Sequence, residues 1–314
     1  VSEGHIVVLG APALAGFCAG LWAAAGHRVT WGVAPQTQAQ FERGGLRLTD
    51  PSGLDARIGP DVLDCLPVRD ALRCADLVVL LDLDELGAAT VWSEITSSAP
   101  VGTMVLNVTS ATSANCALPP DPTTGRQMVL GLAPWRVDQH VEDSQDEALW
   151  IHRYGAGGPM RVAEEAGIWA RDLSVPCLDV KAQSDISGVI WGSKLARLLP
   201  LCASLAGIAP RALLRDRMWR NLCADLLEEV LVVLRKAGIR PKPARGLPLS
   251  LRLRALRVGG LLNTLAWPEV SMVQGGPAKE ADLSLLQDLS NLGARVGMAM
   301  PVSASLLQAD VRGG

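Results

Sequence analysis

The sequence predicts an α/β domain built on a doubly wound parallel sheet, followed by an all-helical domain. Three observations carry this. The chain opens with a strand, a glycine turn, a helix and a second strand within about thirty residues. Apolar strand-like segments then alternate with helical ones as far as Met104–Asn107, and after Lys181 the apolar period changes to 3.6 and stays there.

His5–Leu9 is a buried-type strand, and Ala13–Ala25 is a helix of small residues able to lie close against a sheet, with Gly26 as its stop. Arg28–Trp31 forms the second strand. Gly45–Thr49 and Ala56–Ile58 read as short strands separated by the turn cluster Asp50-Pro51-Ser52-Gly53. Ala75–Leu81 is continuously apolar, as expected of a parallel strand covered on both faces. Helix Glu85–Ser97 and strand Met104–Asn107 follow. From Gln127 the pattern changes to strand pieces, Met128–Leu132 and Leu149–His152, joined by a polar loop; helix Val162–Asp172 and strand Pro176–Val180 complete this half.

Helical spacing then takes over. Ile186–Leu205 is helical with Pro200 inside it, which implies a kink. Asp216–Ala237 has an N-cap in Asp216, a stripe of Leu222, Leu226, Leu227, Val230 and Leu234, and a stop at Gly238. Further helices are expected over 249–266, Glu280–Arg295 and Val302–Asp310. These patterns place a dinucleotide-binding-type domain at 1–182 and a helical domain at 183–314, with no internal repeat of 20 to 50 residues.

Composition bounds the function. With 314 residues, 49% hydrophobic, the chain is long enough for two cores. A net charge of −3 argues against general affinity for nucleic acid or anionic membranes. Apolar runs such as Leu77–Leu81 and Val230–Leu234 are too short to span a bilayer, and the N-terminal residues lack the features of a signal peptide. Seven scattered cysteines without a C-x-x-C pair read as buried small residues in a reducing compartment, and four separated histidines offer no metal spacing. The expectation is a cytoplasmic protein acting on a small molecule, with no metal, membrane or nucleic-acid partner. Eight basic residues from Arg235 to Arg257 form either a solvated face or a surface for an anion, without interleaved aromatics.

The chemistry concentrates at a few places. Gly10, Ala11, Pro12, Ala13 and Leu14 follow the first strand, where the pattern G-x-G-x-x-G would cradle a pyrophosphate. Gly10 supplies the tight turn, Pro12 replaces the second glycine and removes an amide donor, and Ala15 replaces the third. Lys194 stands among apolar residues at the start of the helical domain. It is either a snorkelling lysine at a helix edge or a partly desolvated proton donor. Glu280 and Asp282 open a helix after a glycine-proline turn, where acids also simply complement the helix dipole. Asn107 ends a parallel strand at the carboxyl edge, where doubly wound sheets bind their ligands, or is a strand-terminating asparagine in a turn.

In order and spacing, several marks resemble the ketopantoate reductase (2-dehydropantoate 2-reductase) family along nearly the whole chain. They are the Gly10 turn, Gly45-Leu46-Arg47-Leu48, Asn107, Val129-Leu130-Gly131, Trp191-x-x-Lys194-Leu195, Ser271-Met272 and Glu280-x-Asp282. The resemblance implies an N-terminal Rossmann-type domain binding NADPH, a helical C-terminal domain, a homodimer as one assembly, and reduction of a 2-oxo acid by hydride transfer. It implies Lys194 as the general acid, with Asn107, Ser271 and Glu280 positioning substrate and cofactor.

The departures are specific. Gly32-Val33-Ala34 carries neither a base for a 2′-phosphate nor an acid for a free ribose, so NAD and NADP stand equal. Asp82 falls where the family has a lysine near cofactor or substrate, and Asn107-Val108-Thr109-Ser110 lacks the family's glycines. Leu198 and Cys202 replace asparagines, which implies a substrate more apolar than ketopantoate. Three readings follow: a nicotinamide-dependent reductase of another 2-oxo acid, a cofactor-independent enzyme using Lys194 with Glu280 or Asp82 for a cyclisation or isomerisation, and a catalytically silent binding protein.

Overall fold

The structure, a computed structural model, describes residues 4–83, 85–110, 126–140, 148–154, 158–243, 247–259 and 279–313. The chain divides into two compact units, Val1–Ile186 and Ser187–Gly314.

The first unit runs β1 (Ile6–Gly10), α1 (Pro12–Ala24), β2 (Val29–Val33), α2 (Pro35–Gly44), β3 (Leu46–Thr49), β4 (Asp55–Ile58), β5 (Asp64–Pro67), α3 (Val68–Ala71) and β6 (Leu77–Leu81). It continues with α4 (Glu85–Ser98), β7 (Met104–Ser110), β8 (Met128–Ala133), β9 (Arg136–His140), β10 (Leu149–Tyr154), β11 (Met160–Ala163), α5 (Gly167–Asp172) and β12 (Val180–Gln183). The main sheet has the order β12-β11-β8-β7-β6-β1-β2-β5, and every pair in it is parallel except β8 with β11. A second sheet, β4-β3-β10-β9, pairs β3 with β10 in parallel and its outer strands antiparallel.

Helix α1 contacts both sheets, which explains why it is apolar all round and buried from Leu14 to Ala23. A Cβ at Gly16 would stand 2.8 Å from Ile151 Cδ1, and one at Gly20 would stand 2.9 Å from Leu48 Cδ1. The turn after β3 is held by Asp50, whose carboxylate accepts the amides of Ser52 at 2.8 Å and Leu54 at 3.1 Å and pairs with Arg153. Burial alone would push the Asp50 carboxyl up, but hydrogen bonds from Ser52, Leu54 and Arg153 bring it below its ordinary value. Arg153 also donates to the Cys177 carbonyl at 2.7 Å and lies 5.1 Å from the Phe17 ring, tying this turn to α1.

Some expectations are corrected. Met160–Ala163 is a strand rather than the start of a helix over Val162–Asp172, because Met160 and Val162 are buried and β11 pairs with both β8 and β12. The following strand is shifted from Pro176–Val180 to Val180–Gln183, since Cys177 adopts φ +67° in a turn closed by Val175 and Leu178. Strands β5 and β9 and helix α2 have no counterpart in the sequence reading. Their residues are mostly exposed or half-buried, so their apolar period is weak.

The second unit contains α6 (Ile186–Ala196, beginning one residue before the division), α7 (Leu198–Ala206), α8 (Pro210–Arg215), α9 (Arg217–Lys236), α10 (Leu249–Val258), α11 (Lys279–Arg295) and α12 (Pro301–Gly313). The expected kink falls at Arg197, not Pro200. Pro200 lies in the first turn of α7, where a missing amide breaks no helical bond. Helix α9 supplies the centre of the core through Leu226, Leu227, Val230, Val233 and Leu234. Asp216 caps it by accepting the amides of Met218 at 2.7 Å and Trp219 at 3.2 Å. Glu229 in turn caps α12, accepting from the amides of Val302 at 2.9 Å and Ser303 at 3.1 Å. The segment Ile186–Ala206 is long and apolar enough to cross a membrane by length and composition, contrary to the estimate from uninterrupted runs, but 67% of its most apolar stretch is packed inside the protein.

His5, 5% exposed, shares a 2.8 Å hydrogen bond between Nε2 and Thr30 Oγ1, and burial pushes its imidazole below the ordinary value. The unfolded chain therefore takes up a proton that the folded one refuses as pH falls through about 6.5, and stability drops on that side. Thermal melts of His5→Gln between pH 7.5 and 5 are expected to show a shallower acid decline than the parent protein.

Candidate functional site

The first unit's carboxyl edge is organised by Gly10. Its φ is +129°, and a Cβ there would fall 1.9 Å from the Leu81 carbonyl oxygen. That closeness lets the Ala11 amide donate to the same carbonyl at 2.8 Å, fastening the start of α1 to the end of β6. Pro12 occupies the first helical position and is exposed. The N-cap residue Ala11 has no side-chain acceptor to offer the amides of Ala13 and Leu14 at the positive end of the helix.

These residues fit a dinucleotide pyrophosphate in part. The turn is intact and two amides remain, while the Pro12 position gives none. The end of β2 presents Val33 and Ala34, then Gln36 and Thr37 on α2, with no charge for ribose or 2′-phosphate.

Asp82 follows β6 in a left-handed conformation, φ +49°, which aspartate tolerates better than most residues. Its amide donates to the Val108 carbonyl at 3.1 Å, and its Oδ1 accepts the Ser110 amide at 2.5 Å. The carboxylate thus ties the ends of β6 and β7 together as well as placing negative charge at this edge. Asn107 is 6% exposed and lies in mid-strand, opposite Leu80 and Leu130, because β7 continues pairing with β8 as far as Ser110; it does not end the strand as the sequence implied.

In the second unit the prominent group is Lys194 on α6. It is 4% exposed, so it is a buried lysine and not one snorkelling at a helix edge. Its Nζ stands 3.5 Å from Asp288 Oδ2 on α11 and 5.6 Å from the Trp191 ring centroid. A buried ammonium is tolerable only where such partners offset its lost hydration. Helix α6 is held in place one turn earlier: the Lys242 amide donates to the Gly188 carbonyl at 2.8 Å, and a Cβ at Gly192 would meet the Lys242 oxygen at 1.7 Å.

Asp288 is the functional candidate that sequence reasoning missed. A signal was present: an acid sits inside the apolar stripe of Leu285, Leu289 and Leu292, all buried. Ser271 lies outside the described residues, and of Glu280 only its place in the first turn of α11 is described. Leu198 and Cys202 are packed in the helical core at 2% and 1% exposure. Within the basic stretch, Arg252 is buried and donates to the Leu247 carbonyl at 3.1 Å, while Arg257 pairs with Asp225 at 2.6 Å and Glu228 at 2.9 Å. Among the described residues, no group of three or more His, Cys, Asp or Glu could hold a metal ion.

No protein-family model matches the chain, and no curated protein matches it in sequence. Solved structures do. The 2-dehydropantoate 2-reductase of Geobacter metallireducens GS-15 aligns with a TM-score of 0.70 at 16% identity, over 99% of this chain and 100% of that one. A PanE/ApbA family ketopantoate reductase from Ralstonia eutropha JMP134 aligns at 0.68 and 16%, over 97% and 96%. D-mandelate dehydrogenase in a ternary structure with NADH and anilino(oxo)acetate aligns at 0.67 and 14%, over 97% and 96%. The class defined by these likenesses is that of Rossmann-type proteins, in keeping with the mostly parallel sheet of the first unit. Within that class, the chain has the fold of the ketopantoate reductases, at a divergent level of sequence.

Two variants probe the Gly10 turn. Gly10→Ala is expected to lose about 2 kcal/mol or more in chemical denaturation, since the new methyl group meets backbone that cannot move aside. Pro12→Gly restores one amide donor toward a charged group, an interaction of about 1.5–3 kcal/mol. On the reading that a nicotinamide dinucleotide binds at this turn, calorimetric titration is expected to show Pro12→Gly binding NADPH or NADH roughly tenfold or more tighter than the parent protein.

Proposed function

We propose that the protein is a nicotinamide-dependent reductase of a small 2-oxo acid other than ketopantoate, a cytoplasmic enzyme. The observation that carries this is Lys194, an ammonium held inside the helical unit beside Asp288, in a fold shared with 2-oxo acid reductases.

A reduced nicotinamide dinucleotide, when bound, supplies the hydride. Gly10, Ala13 and Leu14 would hold its pyrophosphate through the turn and the two helix amides. Lys194 would donate its Nζ proton to the substrate carbonyl oxygen as negative charge develops there, completing the alcohol and leaving a neutral amine to be reprotonated from solvent. Asn107, Ser271 and Glu280 take positioning roles by family resemblance, and Asp82 would repel a second anion from the edge of β6. Leu198 and Cys202 bring no amide where the resemblance implies asparagines, which favours a substrate more apolar than ketopantoate.

A second reading is favoured by Pro12 and Asp82, which remove a phosphate donor and add an opposing charge. In it the protein keeps Lys194 for acid–base chemistry on an apolar metabolite without a cofactor. Titration with NADPH and NADH separates the two. Micromolar binding of either, with its oxidation by a panel of aliphatic and aromatic 2-oxo acids, supports the reductase. Absence of binding at millimolar concentration overturns it. Lys194→Ala is expected to lower kcat about a hundredfold or more while leaving cofactor affinity within about twofold.

A further inference from the structure

We infer that Asp288 is the positioning residue for the Lys194 proton donor, fixing where its ammonium points within an apolar helical core. The inference rests on the reductase reading for its reaction, but its geometry stands by itself.

Lysine carries its charge on a flexible stem, so a proton donor of this type needs an external anchor. Three elements provide one. Trp191, one turn earlier on α6, presents its ring 5.6 Å from Nζ. Asp288 on α11 presents Oδ2 at 3.5 Å from another element, 94 residues further along the chain. The contact of Gly192 with the Lys242 carbonyl fixes the level of α6 itself.

Asp288 is conspicuous in its own helix. Leu285, Leu286 and Leu289 are at most 1% exposed, Leu292 is 5% exposed, and the Asp288 side chain is only 15% exposed. A carboxylate in that setting has a counter-charge, and Lys194 supplies one. The 3.5 Å separation is long for a charge-assisted hydrogen bond. That distance sets a direction for the ammonium from a second helix without the short contact of a fully engaged ion pair. A pair serving stability alone would leave catalysis unchanged once the protein folds; a positioning pair acts on turnover.

The full-length chain, Asp288→Asn, Asp288→Glu and Lys194→Met are compared in two measurements. Steady-state reduction of the best 2-oxo acid is expected to show kcat lowered tenfold or more in Asp288→Asn, KM within about threefold, and most of kcat recovered in Asp288→Glu. Unchanged kcat in a folded Asp288→Asn overturns the inference. The second measurement needs no turnover. The chain has five lysines, so [ε-13C]lysine NMR gives a readable spectrum, and Lys194→Met assigns the Lys194 signal. That signal is expected to stand apart through the Trp191 ring current, to move in Asp288→Asn, and to return toward its place in Asp288→Glu. A signal that stays fixed in Asp288→Asn overturns the inference. If the parent protein reduces no 2-oxo acid with either nicotinamide, the reductase reading fails, and the NMR comparison still decides whether Asp288 orients Lys194.

Discussion

The contact on which the first unit depends is the one between Gly10 and Leu81. With no side chain in the way, the backbone at Gly10 approaches β6 closely enough for the Ala11 amide to reach the Leu81 carbonyl at 2.8 Å. This sets the start of α1 against the central strands and directs its amide end toward the carboxyl edge of the sheet. The same helix then needs Gly16 and Gly20 to run between two sheets, so its small residues follow from packing. Pro12 is compatible with all of this because the first helical position needs no amide, although a phosphate ligand would use one.

The second unit is governed by a different constraint, the cost of placing charge in a helical core. Around α9 the interior is leucine, valine and cysteine, and the hydrogen bond with Cys202, together with burial, raises the Cys223 thiol well above its ordinary value. Lys194 and Asp288 depart from this and each lowers the cost of the other, while buried Arg252 is offset by donating to the Leu247 carbonyl. Two other acids of the unit meet helix N-termini: Glu229 and Asp216 accept amides from the first turns of α12 and α9.

How far the sequence could be read depends on where each signal arises. The strand Leu77–Leu81 and helix Arg217–Lys236 were legible because burial on both faces, or on one stripe, writes a period into consecutive residues. The Asp50 turn was legible from its Asp-Pro-Ser-Gly composition. The strand Met160–Ala163 was not, because four residues, three of them buried, also fit a helix, and the choice was made by the partners β8 and β12. Asn107 was correctly seen on a strand, but its distance from the strand end depended on how far β8 runs alongside it.

The sequence by itself determined the α/β first half, the helical second half, the glycine turn with Pro12 opening the first helix, and the candidacy of Lys194. All of these rest on local order: periodicity, glycine and proline geometry, and motif spacing along one stretch of chain. Only the tertiary structure decided that Lys194 is buried, that Asp82 clamps Ser110, and that Asp288 faces the ammonium across 3.5 Å. Those facts join residues 28 or 94 positions apart, and a linear pattern holds no record of which side chains packing brings together.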